Sequence, residues 1–318
     1  MAIDTGVLPA DYEPTINTYL DDVEKFASQE IENAKSANPL DAEFPVIEVG
    51  NGTTLEKAVM EMAEGYAYDP TAALGWAQED PVLHVKYYSE WDARQFEGTY
   101  RRNEVRKIIM SGRSAEEFAA MITASLTEGE GQEDFENTRA AFIDPSLWVD
   151  YSTINGGKVA ATLDGIMYLI RDAYMHLIAV NDDATGVKYK TKSDPADVRI
   201  VIPSKLLNLI DVTKLANVFN LEKTELMGKI VAYNVDDLDL SKVNAYGVVV
   251  CDRKAIVRGR RTYEFSEDRS GRGLFYNYYL TVDRLYGVCD LFKGVYIDCS
   301  AAAGEVLDVI LADASQGE

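Results

Sequence analysis

Cys251 and His176 supply a thiol and an imidazole, the two groups that nucleophilic acyl transfer needs when a base activates the sulfur. Their surroundings argue for packing instead. His176 lies in YLIRDAYMHL, a tyrosine- and leucine-rich run that reads as a helix with a core histidine. Cys251, Cys289 and Cys299 each sit in apolar, strand-like sequence, no CxxC pair occurs, and His84 and His176 match no zinc spacing. Buried reduced thiols are the expectation. Ser270-Gly-Arg-Gly273 could cradle a phosphate, but it precedes no evident helix and reads as a turn. The cluster Arg253-Lys254…Arg258-Gly-Arg260-Arg261 is the best candidate for a polyanion contact; its flanks, VVVCD and AIV, suggest a hairpin. Without aromatic stacking partners beside it, a surface or subunit-contact role is favoured over nucleic acid. No Walker loop, dinucleotide fingerprint, HExxH or GxSxG is present.

Charge follows a pattern of its own. Residues 1–80 hold seventeen Asp/Glu against three Lys/Arg, whereas residues 81–113 hold seven Lys/Arg against four Asp/Glu, in a chain of net charge −22. So acidic a chain is ill suited to grip nucleic acid over a broad surface. The acidic front and basic middle are instead expected to attract each other, within or between subunits. Seventeen carboxylates in eighty residues read as a solvated face, not a tuned catalytic pair.

Those residues must be positioned by elements that the pattern partly reveals. At 318 residues, 47% hydrophobic, the chain can bury a sizeable core. No run approaches the roughly 18 apolar residues of a membrane span, and MAIDTGVLPADYEP lacks the basic end and apolar run of a signal peptide. Ile16, Tyr19, Leu20, Val23, Phe26, Ala27, Ile31 and Ala34 form one stripe of a helix over 15–36, with Pro14 in its first turn. Residues 37–52 form a connector, with Asn51-Gly52 as a turn. Thr53-x-x-Glu56 predicts a capping box opening a short helix, and 65–81 reads as loop. Ser114-x-x-Glu117 opens a second helix, which Glu128-Gly129-Glu130-Gly131 interrupts and Pro145 stops. Asn155-Gly-Gly157 turns into a long helix over about 158–180. Beyond 187, KYKTK, VRIVI, GKIVAY, AYGVVVCD and AIVRGR read as strands, with a short helix around Lys214–Phe219, and 274–297 reads as more strand than helix. The class is α+β, without a βαβ series.

The stretch VLHVKYYSEWDARQFEGTYRRNEVRKII, 82–109, reads as two extended arms joined by a polar connection. Ten residues at about 3.3 Å each reach roughly 33 Å, and an isolated two-stranded hairpin is marginal in water. Such a ribbon needs something to pack on.

Four segments in succession, 82–126, 156–177 (GGKVAATLDGIMYLIRDAYMHL), 198–234 (VRIVIPSKLLNLIDVTKLANVFNLEKTELMGKIVAYN) and 245–257 (AYGVVVCDRKAIV), resemble the major capsid proteins of tailed bacteriophages. These have the Hong Kong 97-type fold, and the short-tailed branch is the most similar. The resemblance covers about half the chain. It implies an acidic N-terminal arm with a helix at 1–50, a helix and connector at 51–81, an extended-loop ribbon at 82–112, and a spine helix of a peripheral domain at 113–155. A mainly axial domain would follow at 156–244, then strands shared between domains at 245–318. The ribbon would lie over a second copy of the chain, which makes Tyr87, Tyr88, Trp91, Arg94, Tyr100, Arg101, Arg102 and Arg106 candidates for inter-subunit contact. Homo-pentamers and homo-hexamers would close into an icosahedral shell, assembled in the host cytoplasm and becoming the virion capsid. Scaffolding and portal proteins are implied partners, with double-stranded DNA packaged without sequence specificity. No catalytic residue, cofactor, metal or membrane contact comes with the resemblance. An encapsulin-type compartment holding enzyme cargo and an orphan cytosolic enzyme are the competing readings.

Overall fold

The computed structural model describes residues 12–33, 38–65, 82–210, 229–234, 246–270 and 275–302. The expected helix around Lys214–Phe219, most of the 65–81 loop and the glycines of the 270–273 turn lie outside these residues.

Two sheets, each backed by helices, make the body. The first has the order β1 (Ile47–Glu48), β9 (Ile256–Ser270), β10 (Phe275–Val288) and β4 (Asp92–Arg101). Here β9, β10 and β4 run antiparallel to their neighbours and β1 joins in parallel. Helices α1 (Tyr12–Asn33) and α3 (Ala115–Ile143) cover it. The stripe Ile16, Leu20, Val23, Ala27 and Ile31 is buried with Phe118 and Ile122 of α3 and Tyr278, Leu280 and Val282 of β10. Spacings of three and four put apolar groups on one helical face, and alternation puts those of β10 on one sheet face.

The second sheet has the order β5 (Val149–Asp150), β11 (Gly294–Asp298), β8 (Gly247–Asp252), β6 (Val198–Pro203) and β7 (Ile230–Tyr233). Every residue of β8 is buried, because both faces are covered. Val248 and Val250 meet α5 (Leu163–Ile178), whereas Val249 and Cys251 meet Phe142 at the end of α3 and Trp148. Thr162 caps α5 through Gly165, so the helix starts later than periodicity alone implies. Asn155-Gly-Gly157 forms the expected turn, with φ of 78° and 80° at Gly156 and Gly157. KYKTK is not a strand; among the described residues it contributes one isolated bridge, Thr191 with Asn181.

Among the described residues the chain passes between the two sheets three times, at 144–148, 253–255 and 289–293. Two of these passages are bonded together: Cys289 N–H donates to the Ala255 carbonyl at 2.7 Å, and Asp252 N–H to that of Lys293 at 2.9 Å. VVVCD and AIV are therefore not a hairpin; β8 and β9 belong to different sheets.

Four sequence expectations change here. Residues 55–60 are not a capped helix but strand β2 (Leu55–Met60), antiparallel to β3 (Leu83–Tyr88). Thr53 Oγ1 donates to the Gly50 carbonyl at 2.5 Å instead of capping. The 82–112 ribbon is likewise redistributed, because β3 pairs with β2 whereas β4 pairs with β10. Its second arm ends at Arg101, and Arg102–Met110 is helix α2. There the Glu104 carboxylate accepts from Arg101 N–H at 2.8 Å and Val105 is buried. Finally, α3 runs unbroken through Gly129 and Gly131 for 29 residues, about 44 Å. Two helical glycines cost roughly 1 kcal/mol each, and tertiary contacts around Glu130 offset that.

Helix α1 is tied to β9 by Arg269, which meets Asp21 at 2.8 Å, Glu24 at 3.6 Å and Glu267 at 2.7 Å. Three carboxylates around one guanidinium leave negative charge in excess. Burial first, then Glu24, raises the Glu267 carboxyl from its ordinary value near 4.5 to about 7, against the pull of Arg269. The proton's stabilisation is complete below the unfolded value and is lost as pH rises through 7. The wild type is therefore expected to lose stability between pH 5 and 7.5 relative to Glu267→Gln, by about 1 kcal/mol once solvent screening is allowed for. Urea unfolding of both proteins across that range checks it; parallel profiles would refute the assignment.

Candidate inter-subunit surface

The two-stranded ribbon β2–β3 has unlike faces. Its register pairs Glu56 with Tyr87, Ala58 with Val85 and Met60 with Leu83 on one side. Leu55 with Tyr88, Lys57 with Lys86 and Val59 with His84 occupy the other. The second, inner face packs on the chain's own body. Leu55 is buried, Lys57 Nζ lies 5.9 Å from the Phe292 ring centroid, and Lys86 pairs with Asp290 at 3.0 Å. Tyr88 Oη donates to the Val288 carbonyl at 3.3 Å, and burial, with Cys289 next, raises its phenol far above the ordinary range. The His84 ring stacks on Tyr189 at 4.7 Å and meets Glu61 at 2.6 Å.

Among the described residues the outer face has no such contacts. Met60, Leu83 and Tyr87 are 59%, 55% and 63% exposed, and Met62 continues the apolar surface toward the ribbon's end. Such a contiguous apolar face is the mark of a contact surface.

The sequence-level candidates scatter. Tyr87 alone of the aromatics lies on the outer face. Tyr88 faces inward, and Trp91 stacks under Arg261, 4.9 Å from its ring centroid. Tyr100 packs edge-on against Phe118 at 5.3 Å within the α1–α3 core. Arg94 is exposed and bonds Asp92 at 2.8 Å and Glu133 at 3.2 Å. Arg101 is exposed at the start of α2, with Arg102 and Arg106 half-buried along it. Met60 and Leu83, missed by composition, were detectable from the alternation of LEKAVM and LHVKYY once the two are paired.

The basic cluster is mostly internal. Arg258 is buried, donates to the Phe44 carbonyl at 2.5 Å and to Asp134, and meets Asp41 at 2.6 Å. Asn38 also donates to Asp134, at 2.7 Å. One turn earlier on α3, buried Glu130 pairs with buried Arg284 of β10. Arg260 pairs with Glu48, Arg261 with Asp283 at 2.9 Å, and Lys254 with Asp197 at 2.7 Å. These charges bind segments of one chain together, which leaves little for a polyanion.

Nucleophilic chemistry fares no better. Cys251, Cys289 and Cys299 are free and buried, and burial pushes the Cys299 thiol up to about 12 and that of Cys251 higher still. His176 bonds Asp183 at 2.6 Å. Among the described residues no His, Cys, Asp and Glu group of three or more could hold a metal, and no helix is long and apolar enough to cross a membrane.

A long helix on a four-stranded sheet, a second mixed sheet under its own helix, and a projecting ribbon define a Hong Kong 97-type capsid fold. The capsid structure of Staphylococcus phage Andhra superposes with a TM-score of 0.58 at 12% identity, over 80% of this chain and 85% of that one. The head structure of Helicobacter pylori bacteriophage KHP40 gives 0.54 at 9% identity, over 83% and 91%. The chain belongs to the Phi29-like phage major capsid protein family, whose profile matches residues 3–297. The major capsid protein of Bacillus phage GA-1 is 20% identical over 278 residues, 82% of this chain but 56% of that protein. This chain thus spans little more than half the length of that relative.

Proposed function

We propose that this chain is the structural subunit of an icosahedral phage head, assembling as pentamers and hexamers around double-stranded DNA. The observation that carries the reading is the ribbon's outer face, apolar and exposed on a chain of capsid lineage. A second copy of the chain supplies the apolar surface that would cover it. In this reading the four-stranded sheet with α3 is the peripheral domain and α3 its spine. The five-stranded sheet with α5 is the axial domain around each symmetry axis, and residues up to about 50 form the arm. Tyr87, Arg94, Arg101 and their exposed neighbours join the outer face as contact candidates. Scaffolding and portal proteins assist assembly in the host cytoplasm, and DNA is held without sequence selectivity, since −22 per chain opposes phosphate.

Purified protein, alone and with a scaffolding protein, is expected to give closed particles in negative stain and a large species in light scattering. Monomers or dimers under every condition would overturn the reading. Particles that recruit an enzyme cargo and exclude DNA would favour the compartment alternative.

A further inference from the structure

We propose that the loop 181–191 is a latch that sets the angle at which the ribbon leaves the body, with Tyr189 and His84 as its positioning residues. This rests on the ribbon's proposed role between subunits and assigns what orients it. The ribbon is gripped at two places. Near its root, Lys86 and Tyr88 hold the passage at 288–292 through Asp290 and the Val288 carbonyl. Two residues beyond Lys86 and four beyond Tyr88, about 7 and 13 Å along an extended strand, His84 stacks on Tyr189. Beyond it, Glu61 meets His84, and Glu64 meets Lys190 at 2.9 Å. A strip held at one place pivots; one held at two does not.

The outer grip is itself anchored. Tyr189 is buried, and its hydroxyl donates to the Leu291 carbonyl. Asn181 and Thr191 exchange two backbone bonds, of 3.2 and 3.0 Å, which close the loop. Buried Lys293 then fastens the loop to the end of α5, donating at 2.7 Å to both the Ala179 carbonyl and Asn181 Oδ1. Asn181 Nδ2 adds a bond to the His176 carbonyl at 2.6 Å, and Gly294 N–H donates to the Ala184 carbonyl at 3.0 Å. A continuous set of contacts therefore runs from α5, through the loop, to the ribbon. The exposed pairs Lys190–Glu64 and Lys86–Asp290 add little each. The buried tyrosine and the ring stack carry the latch.

The test uses unassembled subunits, so its result does not depend on shell formation. Spin labels on Ala58→Cys, on the outer face, and Thr153→Cys, on the body, report the ribbon's angle as a distance distribution; the native thiols are buried. The expected result is one narrow distance in the parent, lost to a broad distribution in both Tyr189→Ala and His84→Ala. Tyr189→Phe, which keeps the ring stack, should stay narrow. If Tyr189→Ala fails to fold, His84→Ala decides alone, since it removes a ribbon side chain and leaves the loop intact. A narrow, unshifted distance in folded His84→Ala overturns the latch. Absence of particles from the parent protein would instead count against the capsid reading.

Discussion

A subunit carrying Leu83→Asp and Tyr87→Glu is expected to keep the parent circular dichroism spectrum and melting profile while forming no particles. Both side chains are more than half exposed in the single chain, so charging them costs the fold little. In a shell they would be covered. Burying a large apolar side chain contributes about 1.5–3 kcal/mol, and an unpaired carboxylate in an apolar contact costs several more. Every 1.4 kcal/mol is roughly tenfold in affinity, and with each subunit donating one ribbon, as proposed, the penalty would recur at every contact around the shell. Light scattering and negative stain read the outcome. Particle yield equal to the parent would remove the outer face from the interface. Val59→Asp on the inner face is a contrast: Val59 packs against the body, so that variant should lose stability first.

The largest stability effect is expected at Arg258. Its guanidinium is buried between buried Asp134 and the partly exposed Asp41. Arg258→Met would leave Asp134 buried with only Asn38 donating among these partners, and removing one member of a buried pair costs about 3–5 kcal/mol. Asp134→Leu alone should be damaging for the mirror reason. The double variant Arg258→Met/Asp134→Leu should recover much of the loss, because the pair's attraction and its desolvation largely cancel. Urea midpoints of the four proteins close the cycle. A single-variant loss below about 1 kcal/mol would mean that the site is hydrated and the charges independent.

Elements whose burial is local in sequence were legible. The α1 stripe, the continuous apolar run of β8 and the Ser114 cap all declare themselves within a dozen residues, since the local sequence records them. What failed depended on distant partners. LEKAVM follows a capping-box pattern, and only pairing with LHVKYY, across a 22-residue gap between Met60 and Leu83, makes it a strand. Val105, Ile108 and Ile109 satisfy helix spacing, but the four cations at 101, 102, 106 and 107 and the strand before them favoured an extended reading. Gly129 and Gly131 look like breakers when local propensity is summed. Their neighbour Glu130 is held by Arg284, more than 150 positions later, and no local signal carries that. Arg258 is the same lesson in reverse: a surface-like residue made internal by Asp41 and Asp134. Of the contact candidates, pleat parity separates Tyr87 from Tyr88 but does not say which is exposed, since both faces of an aromatic ribbon look alike until a body is set beneath one.

Among the described residues, three passages join the two sheets where one would have sufficed to keep the chain continuous. Copies of a chain exchange whole lobes when a single connecting segment can open and reach across. Here three segments, two of them bonded to each other at Cys289–Ala255 and Asp252–Lys293, would have to open together and reach the same neighbour. If copies gather at the high local concentration of a growing shell, as proposed, this would bar them from entangling. Each copy would keep both of its lobes and could leave a wrong position as intact as it arrived.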